Sequence, residues 1–255
     1  MGSGAFADGY KVSIQYKDVS KYSILTIGNR QLIETSASSH AFAQQKEPII
    51  LYEFEACPYC KKVREACSML SLTVTYRPCP KNGITYRPAH KARYGKRATF
   101  PFMIDPNTGI EMFESDDIIK YLFKIYGSVT VPKVIEANNA WVAISAGIGL
   151  TLGRFGRGLN YRFSDPPPLP LNVWLYESSP FGKIVKEALT ELELEHTVIY
   201  TPRGSPNRQR MLDQVGRFQV PYLEDPNTGV KLFESQAIVE YLEKQYGANA
   251  QVSYL

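Results

Sequence analysis

The feature that most constrains this chain is that much of it is written twice. Residues 101–127 read PFMIDPNTGIEMFESDDIIKYLFKIYG, and residues 221–247 read PYLEDPNTGVKLFESQAIVEYLEKQYG. Aligned without gaps, 15 of 27 positions are identical, and five of the other twelve exchange one apolar side chain for another, as Met112 does with Leu232. The likeness reaches upstream. FEACPYCKKVREA (54–66) lies over YESSPFGKIVKEA (176–188), and VTYRPCP (74–80) over VIYTPRG (198–204). A period of about 120 residues is too long for a solenoid unit and long enough for a small domain. The expectation is two similar folds in tandem, 47–127 and 172–247, with an N-terminal extension at 1–46 and a linker at 128–171.

Both units give the same reading. Ile49–Phe54 is an apolar run that fits a buried parallel strand. Pro58 suits the first turn of a helix reaching about Leu70, with Val63, Ala66, Cys67 and Leu70 at helical spacing. Leu72–Tyr76 reads as a second strand, and His90–Tyr94 belongs to a weak second helix. Phe100–Ile104 and Ile110–Phe113 flank the turn formers Asp105-Pro106-Asn107-Thr108-Gly109, which predicts a hairpin. Ser115 fits an N-cap, followed by acidic Asp116 and Asp117, and the last helix runs to Tyr126 before Gly127. The order is β-α-β-α-β-β-α, an α/β unit. The second unit follows it from Asn172 to Gly247. In the extension, the alternating stretch Tyr22–Ile33 predicts a small hairpin turning at Gly28-Asn29.

Composition narrows the function classes. Of 255 residues 44% are apolar, and 29 basic against 25 acidic residues leave a net charge of +4. That excludes an extended disordered chain. Four cysteines are too few for a disulfide scaffold. Basic residues are scattered, so no nucleic-acid partner is implied. No secretory signal is visible, and Met1–Phe6 reads as an appended stretch on a trimmed chain. Ala140–Gly153 is apolar but shorter than the roughly 20 residues of a membrane span. It reads as a packed helical linker, with peripheral membrane contact left open, and Pro166–Pro170 reads as a stiff spacer.

The chemistry centres on Cys57-Pro58-Tyr59-Cys60 at the strand-to-helix turn. A thiol at a helix N-terminus meets unpaired N–H groups and the positive end of the macrodipole, both of which favour a thiolate. Lys61 and Lys62 add positive charge. Cys57 is placed to attack a disulfide and Cys60, three residues on, to resolve the product. The competing reading is a structural or zinc-binding pair. Zinc needs two further ligands, yet Cys67 and Cys79 form no second CxxC and His40, His90 and His196 form no ligand pair. Redox chemistry is the favoured reading and no metal is expected.

CPYC after a strand, followed by Thr99-Phe100-Pro101, resembles glutaredoxins. The segment FPFMIDPNTG…MFESDDIIKYL resembles the N-terminal domain of glutathione S-transferases. Over both repeats the chain resembles the tandem glutathione-S-transferase-N-terminal-domain proteins of plants and algae, which are plastid-associated. That resemblance implies two tandem thioredoxin-like folds, a chloroplast location, and cis peptides before Pro101 and Pro221. It also implies glutathione as co-substrate, with disulfide-containing proteins as possible partners. The site would use Cys57 and Cys60 catalytically. Tyr59, Lys61, Phe100, Pro101, Glu114 and Ser115 would bind glutathione, the backbone of Phe100 pairing with its cysteinyl part and Glu114-Ser115 holding its γ-glutamyl end. Plain helix capping is the alternative role for Glu114-Ser115.

Two departures from the family pattern matter. A glutathione S-transferase has a large helical domain after its thioredoxin-like one; here about 44 residues follow the first repeat and eight the second. Ordinary conjugation is therefore not expected. The second repeat has Ser179-Pro180-Phe181-Gly182 in place of CPYC, so it is expected to be redox-silent, with Ser179, Pro221, Glu234 and Ser235 as a possible second site. The alternative to an oxidoreductase is a non-catalytic binding or scaffold protein. Cys67 reads as a core thiol and Cys79 as a loop thiol with Arg203 as its counterpart. Arg203, Arg208 and Arg210 read as a basic loop. The two sheets are expected to face each other across the linker.

Overall fold

The computed structural model describes residues 3–36, 45–127, 131–136 and 156–247. Ala140–Gly153, with its expected helix, lies outside the described residues. In the extension, β1 (Lys11–Tyr16), β2 (Leu25–Ile27) and β3 (Arg30–Thr35) form an antiparallel sheet in the order β1-β3-β2, and β2 and β3 flank Gly28-Asn29. The first repeat holds β4 (Ile49–Glu53), α1 (Pro58–Met69), β5 (Thr73–Pro78), α2 (Tyr86–Tyr94), β6 (Phe102–Asp105), β7 (Ile110–Phe113) and α3 (Ser115–Tyr126). A single turn follows, α4 (Lys133–Glu136). The second repeat holds β8 (Leu171–Leu175), α5 (Pro180–Glu191), β9 (His196–Tyr200), α6 (Asn207–Val215), β10 (Tyr222–Glu224), β11 (Lys231–Phe233) and α7 (Ser235–Tyr246). In each, the first strand pairs parallel with the second and antiparallel with the third. These are two tandem thioredoxin-like α/β units.

The repeated DPNTG sequence has a shared structural cause. Asp105 is fully buried, and its carboxylate accepts hydrogen bonds from Tyr121 (2.6 Å), Tyr126 (2.7 Å) and Asn107 (2.9 Å). Asp225 takes the same three partners, Tyr241, Tyr246 and Asn227. Asn107 in turn accepts from the backbone of Lys46 and Glu47, and Asn227 from Leu169, which fixes where the chain enters the first strand of each repeat. A buried carboxylate needs such partners, so the hairpin sequence and the last helix are retained together.

The sheets do not face each other. β5 and β9 pair edge to edge and antiparallel, giving one eight-stranded sheet in the order β11-β10-β8-β9-β5-β4-β6-β7. Each repeat alone would leave this strand as an open edge with unsatisfied backbone groups. Edge pairing satisfies them and continues the core, which stacking would not do. At the seam Thr75 lies opposite Thr197, with hydroxyls 2.9 Å apart, and the Tyr76 and Tyr200 hydroxyls are 2.6 Å apart. One core joins the two repeats, running from Ile49, Leu51 and Val74 through Val198 and Val173 to Leu242.

The register also corrects the pairing of Cys79. Ser71 and Glu193 adopt the same left-handed turn, φ 51° and 50°, and Glu53 lies beside Pro78 as Leu175 lies beside Tyr200. One residue offset therefore holds from the first helix through the second strand, and it sets Cys79 against Thr201, not Arg203. The shift falls later, in the loop before the hairpin.

Two short straps cross between the repeats. Ala5 and Ala7 pair with the backbone of Arg203 in the second repeat, both at 2.8 Å, while Asp8 donates to Met69 at the end of α1. Leu159 and Tyr161 pair with Lys81 in the first repeat (2.6 and 2.9 Å), while Arg162 donates to Glu191 at the end of α5. Each strap runs from one repeat's first helix to the other repeat's loop. Close approach requires glycine in both: a Cβ on Gly4 would stand 3.0 Å from Glu177 Cβ, and one on Gly158 would stand 2.7 Å from Glu55 Cβ. Residues 4–8 are thus packed into the fold. The arginines read as a basic loop are absorbed as well. Arg208 is buried and donates to Tyr22, Glu34 and the carbonyls of Thr201 and Pro202; Arg203 faces Glu34, and Arg210 covers Trp174.

The seam carries a pH dependence. His196 on β9 is buried, stacks on Tyr76 with ring centroids 5.4 Å apart, and places Nδ1 2.8 Å from the Leu194 carbonyl. Burial lowers its pKa to about 4. Unfolded, it titrates near 6.5, so between about 6.5 and 4 the unfolded chain binds the extra proton. The His196 contribution to stability is expected to fall through that window as pH drops, by about 3 kcal/mol in all, against an opposite contribution from buried Glu53, whose pKa is raised to about 7. Denaturant titrations at pH 7.5 and pH 4.5 measure it, with the pH dependence reduced in His196→Asn; a difference unchanged in that variant would contradict the assignment.

Candidate functional site

The strand β4 ends at Glu53, and the chain turns into α1 through Cys57, which is the N-cap residue (φ −77°, ψ 121°). Its Sγ accepts a hydrogen bond from the Cys60 backbone N–H at 3.2 Å. Cys57 is 4% exposed and Cys60 1%, and both are free thiols. Hydrogen bonding from the Cys60 thiol and backbone holds Cys57 below the ordinary thiol range, against the opposing effect of burial. Cys60 is pushed the other way, by burial first and then by its bond to Cys57. The pair is therefore polarised, with the proton on Cys60 and the negative charge favoured on Cys57.

The register brings the other named residues to the same end of the sheet. Tyr52 on β4 pairs with Phe102 on β6, and Phe102 with Phe113 on β7. Phe100, Pro101, Glu114 and Ser115 therefore lie beside the start of α1. The Phe100–Pro101 bond is cis, as is Val220–Pro221. The rings of Phe54 and Phe100 meet edge to face at 6.2 Å. Tyr59 is 54% exposed at the rim, and Lys61 is half-buried. Ser115 is not the N-cap of α3. That position belongs to Glu114, at φ 67°, and neither side chain makes a capping bond. The helix instead starts on a left-handed residue, and Lys62 reaches across from α1 to pair with Asp116 in its first turn.

The second repeat reproduces this geometry without thiols. Ser179 is the N-cap of α5 (φ −72°, ψ 118°), and its Oγ accepts from the Gly182 N–H at 3.1 Å. Glu234 takes φ 68° ahead of Ser235. Here, though, Gln219 donates to the Glu234 carboxylate and Arg217 covers Phe233 at 3.8 Å. Pro221, Glu234 and Ser235 lie at the end of the sheet from which Ser179 opens α5.

Between the two helix starts lies a buried charge cluster. Arg64 on α1 pairs with Glu53, with Glu55 at 3.2 Å and with Glu177 of the second repeat at 3.1 Å. Lys186 on α5 pairs with Glu177 and stands 3.3 Å from Glu55. All five side chains are at most 5% exposed. Burial raises Glu53 to about 7, with Arg64 opposing. Burial also acts to raise Glu177, but Lys186 and Arg64 outweigh it and hold the carboxyl low. Among the described residues no group of three or more His, Cys, Asp or Glu is placed to hold a metal ion, and no helix is long and apolar enough to cross a membrane.

Residues 51–130 and 175–250 each match the family described as "Glutathione S-transferase, N-terminal domain". The chain belongs to that family. It is 36% identical over 89 residues to the glutathione S-transferase-like protein tpcF of Aspergillus fumigatus, covering 35% of this chain and 39% of the relative. It is 28% identical over 85 residues to the glutathione S-transferase-like protein OpS6 of Beauveria bassiana, covering 33% and 39%. Among solved structures, the Bombyx mori glutathione transferase BmGSTD1 matches at 28% identity over 33% of this chain and 38% of its own, with a TM-score of 0.29. The chain thus spans about two-fifths of the length of these relatives.

The glutathione S-transferase N-terminal domain of the first repeat has neighbours that sequence reasoning did not single out. Arg87 caps the carbonyls of Cys79 and Pro80 and lies 4.7 Å over the Phe100 ring. His90 is buried among Tyr52, Tyr94, Phe100 and Phe102. The cluster left a signal: Glu55 and Arg64 recur as Glu177 and Lys186 in the aligned segments. Cys67 and Cys79 are fully buried, and burial pushes both thiols far up.

Proposed function

We propose that this glutathione S-transferase N-terminal-domain protein is a glutathione-linked thiol–disulfide oxidoreductase acting through its first repeat. The observation that carries this reading is the polarised pair: one thiol lowered at a helix N-terminus, its neighbour raised and protonated. The Cys57 thiolate attacks the protein-side sulfur or the glutathione-side sulfur of a mixed disulfide. One S–S bond breaks, a new one forms to Cys57, and the departing thiolate takes a proton from solvent. Cys60 then gives up its proton and attacks Cys57 Sγ. The internal disulfide forms, the second thiol leaves, and the two cysteines have together supplied two electrons. Reduced glutathione would return the pair to the dithiol. The residues at the end of the sheet support a glutathione site: the backbone beside Pro101 for the cysteinyl part, and the uncapped start of α3 at Glu114-Ser115 for a carboxylate.

The test is the ionisation of Cys57, followed by thiolate absorbance and by alkylation rate against pH. Cys67 and Cys79 are pushed far up and do not titrate in the same range. The expected midpoint lies clearly below the free-thiol value of about 8.5. A midpoint at that value, with no exchange on a glutathione mixed disulfide, would instead favour a scaffold that keeps the fold without the chemistry.

A further inference from the structure

The exchange chemistry uses two thiols, a helix start and a ligand site, all within one repeat. It does not use the five buried charges that join the repeats. Replacing such a cluster with apolar side chains is commonly neutral or stabilising, so its presence beside the thiols calls for a role. We propose that the thiol-less repeat sets the ionisation of the Cys57–Cys60 pair through Glu177, which reaches the first repeat at Arg64, and Lys186, which reaches it at Glu55. Lys186 and Glu177 are then positioning residues for the chemistry above, and the inference rests on Cys57 being its nucleophile.

Placement carries the argument. Cys60 and Arg64 are four residues apart on α1, so they share a face of the helix, and both are buried. Glu55 precedes Cys57 by two residues, and its carbonyl accepts from Arg64 Nη2 at 3.1 Å. Glu53, at the end of β4, and Arg64 both act electrostatically on both thiols. From the second repeat, Glu177 grips Arg64 Nε at 3.1 Å and Lys186 holds Glu177 and Glu55. Buried charges at this range interact with little screening by salt.

The asymmetry of the cluster points the same way. Glu55 and Arg64 correspond to Glu177 and Lys186, so these four form a balanced set, two negative and two positive. The fifth member, Glu53, has Leu175 as its counterpart. The extra carboxylate therefore stands below the thiols and not below Ser179. With all five ionised the net charge is −1, and Arg64 cannot give up its proton. The cluster thus has room for one proton, and the balance depends on both second-repeat charges.

Beside the cluster Glu187 is a further buried acid, its stem close to that of Glu55 over Gly158; the phenols, thiols and imidazole nearby are neutral near pH 7. Tyr76 and Tyr200 hydrogen-bond each other at the seam and burial raises both phenols. Burial raises Cys67 and Cys79 in the same way, and it keeps His196 uncharged.

Thiolate titration of the full chain tests this with three variants. Lys186→Met removes a positive charge and is expected to raise the Cys57 midpoint by about one pH unit. Glu177→Gln removes a negative charge at nearly constant volume and is expected to lower it by a similar amount. Lys186→Arg, which copies the residue at the matching place in the first repeat, is expected to stay close to wild type. A merely structural role would loosen the site in both charge variants and move the midpoint one way. Shifts of the same sign, or no shift in folded protein, overturn the inference. Should Lys186→Met fail to fold, Glu177→Gln decides by its sign: an unchanged or raised midpoint is fatal. The outcome stays separate from the proposed function. A wild-type midpoint near 8.5 defeats the nucleophile assignment, whereas a depressed midpoint insensitive to Glu177 and Lys186 defeats only this inference.

Discussion

Cys57→Ser is expected to lose reduction of a glutathione mixed disulfide by at least about a thousandfold, the scale on which removal of a nucleophile acts. Cys60→Ser is expected to keep a large part of it. The difference follows from the polarised pair. Only Cys57 sits at the N-cap, where the helix start and the Cys60 N–H hold a thiolate, and a serine hydroxyl there is not acidic enough to take over. Cys60 is needed where the mixed disulfide must be resolved internally. A monothiol route, in which a second glutathione releases the first, does not require it. Cys60→Ala, unlike the serine variant, also removes the side-chain hydrogen bond that does most to lower the pKa of Cys57, so it should need higher pH for the same rate. Under mild oxidation the wild type is expected to form the Cys57–Cys60 disulfide, since CxxC at a helix start sets the two sulfurs within bridging range. Mapping that finds Cys57 joined mainly to Cys79, or Cys60 left free, would show that the resolver role is misassigned, whereas equal loss of activity in both variants would show that the dithiol route is obligatory.

What the sequence makes legible here is set by the range of the forces involved. The repeat, the strand–helix order and the DPNTG hairpin are local or are written twice. The Asp105–Asn107–Tyr121–Tyr126 network shows why: a buried carboxylate with three obligatory donors leaves few sequences free to vary. The thiols are legible because their chemistry requires one residue type at one spacing. The seam is not. Val74, Tyr76, Val198 and Tyr200 look the same whether their strands meet edge to edge or stack by their faces. Only the unpaired backbone of β5 and β9 decides, and backbone carries no letter. The straps are hidden for another reason. Their bonds to Arg203 and Lys81 are main-chain bonds, and only Gly4 and Gly158 mark the close approach. Matching tyrosine and proline letters sets Cys79 against Arg203, whereas the turn at Ser71 and Glu193 shows no shift. Serine commonly caps helices, so Ser115 reads as a cap, whereas this helix begins after Glu114 at φ 67°.

Residues 45–130, expressed without the second repeat, are expected to self-associate or precipitate. The fragment would keep its own hairpin and helices, but β5 would become an open edge, with Val74 and Tyr76 losing the strand that covers them. Such an edge recruits any strand available, and the nearest equivalent to β9 is β5 of a second copy. A dimer on the same axis would set Thr75 against Thr75, which the small hydroxyl pair permits. The charges beneath would not be permitted so easily. Two copies bring two Glu53, two Glu55 and two Arg64, four carboxylates against two cations, where the whole chain has three against two. An added uncompensated buried charge costs several kcal/mol. The dimer should therefore be weak and concentration-dependent at neutral pH, and tighter in Glu53→Gln, which restores the balance. It would also lack the strap from Gly158 to Tyr161 that pairs with Lys81 in the whole chain. Sedimentation of the fragment, alone and as Glu53→Gln, reads this out directly. A fragment that is monomeric, soluble and fully active would show that neither the edge nor the shared charge cluster requires the second repeat.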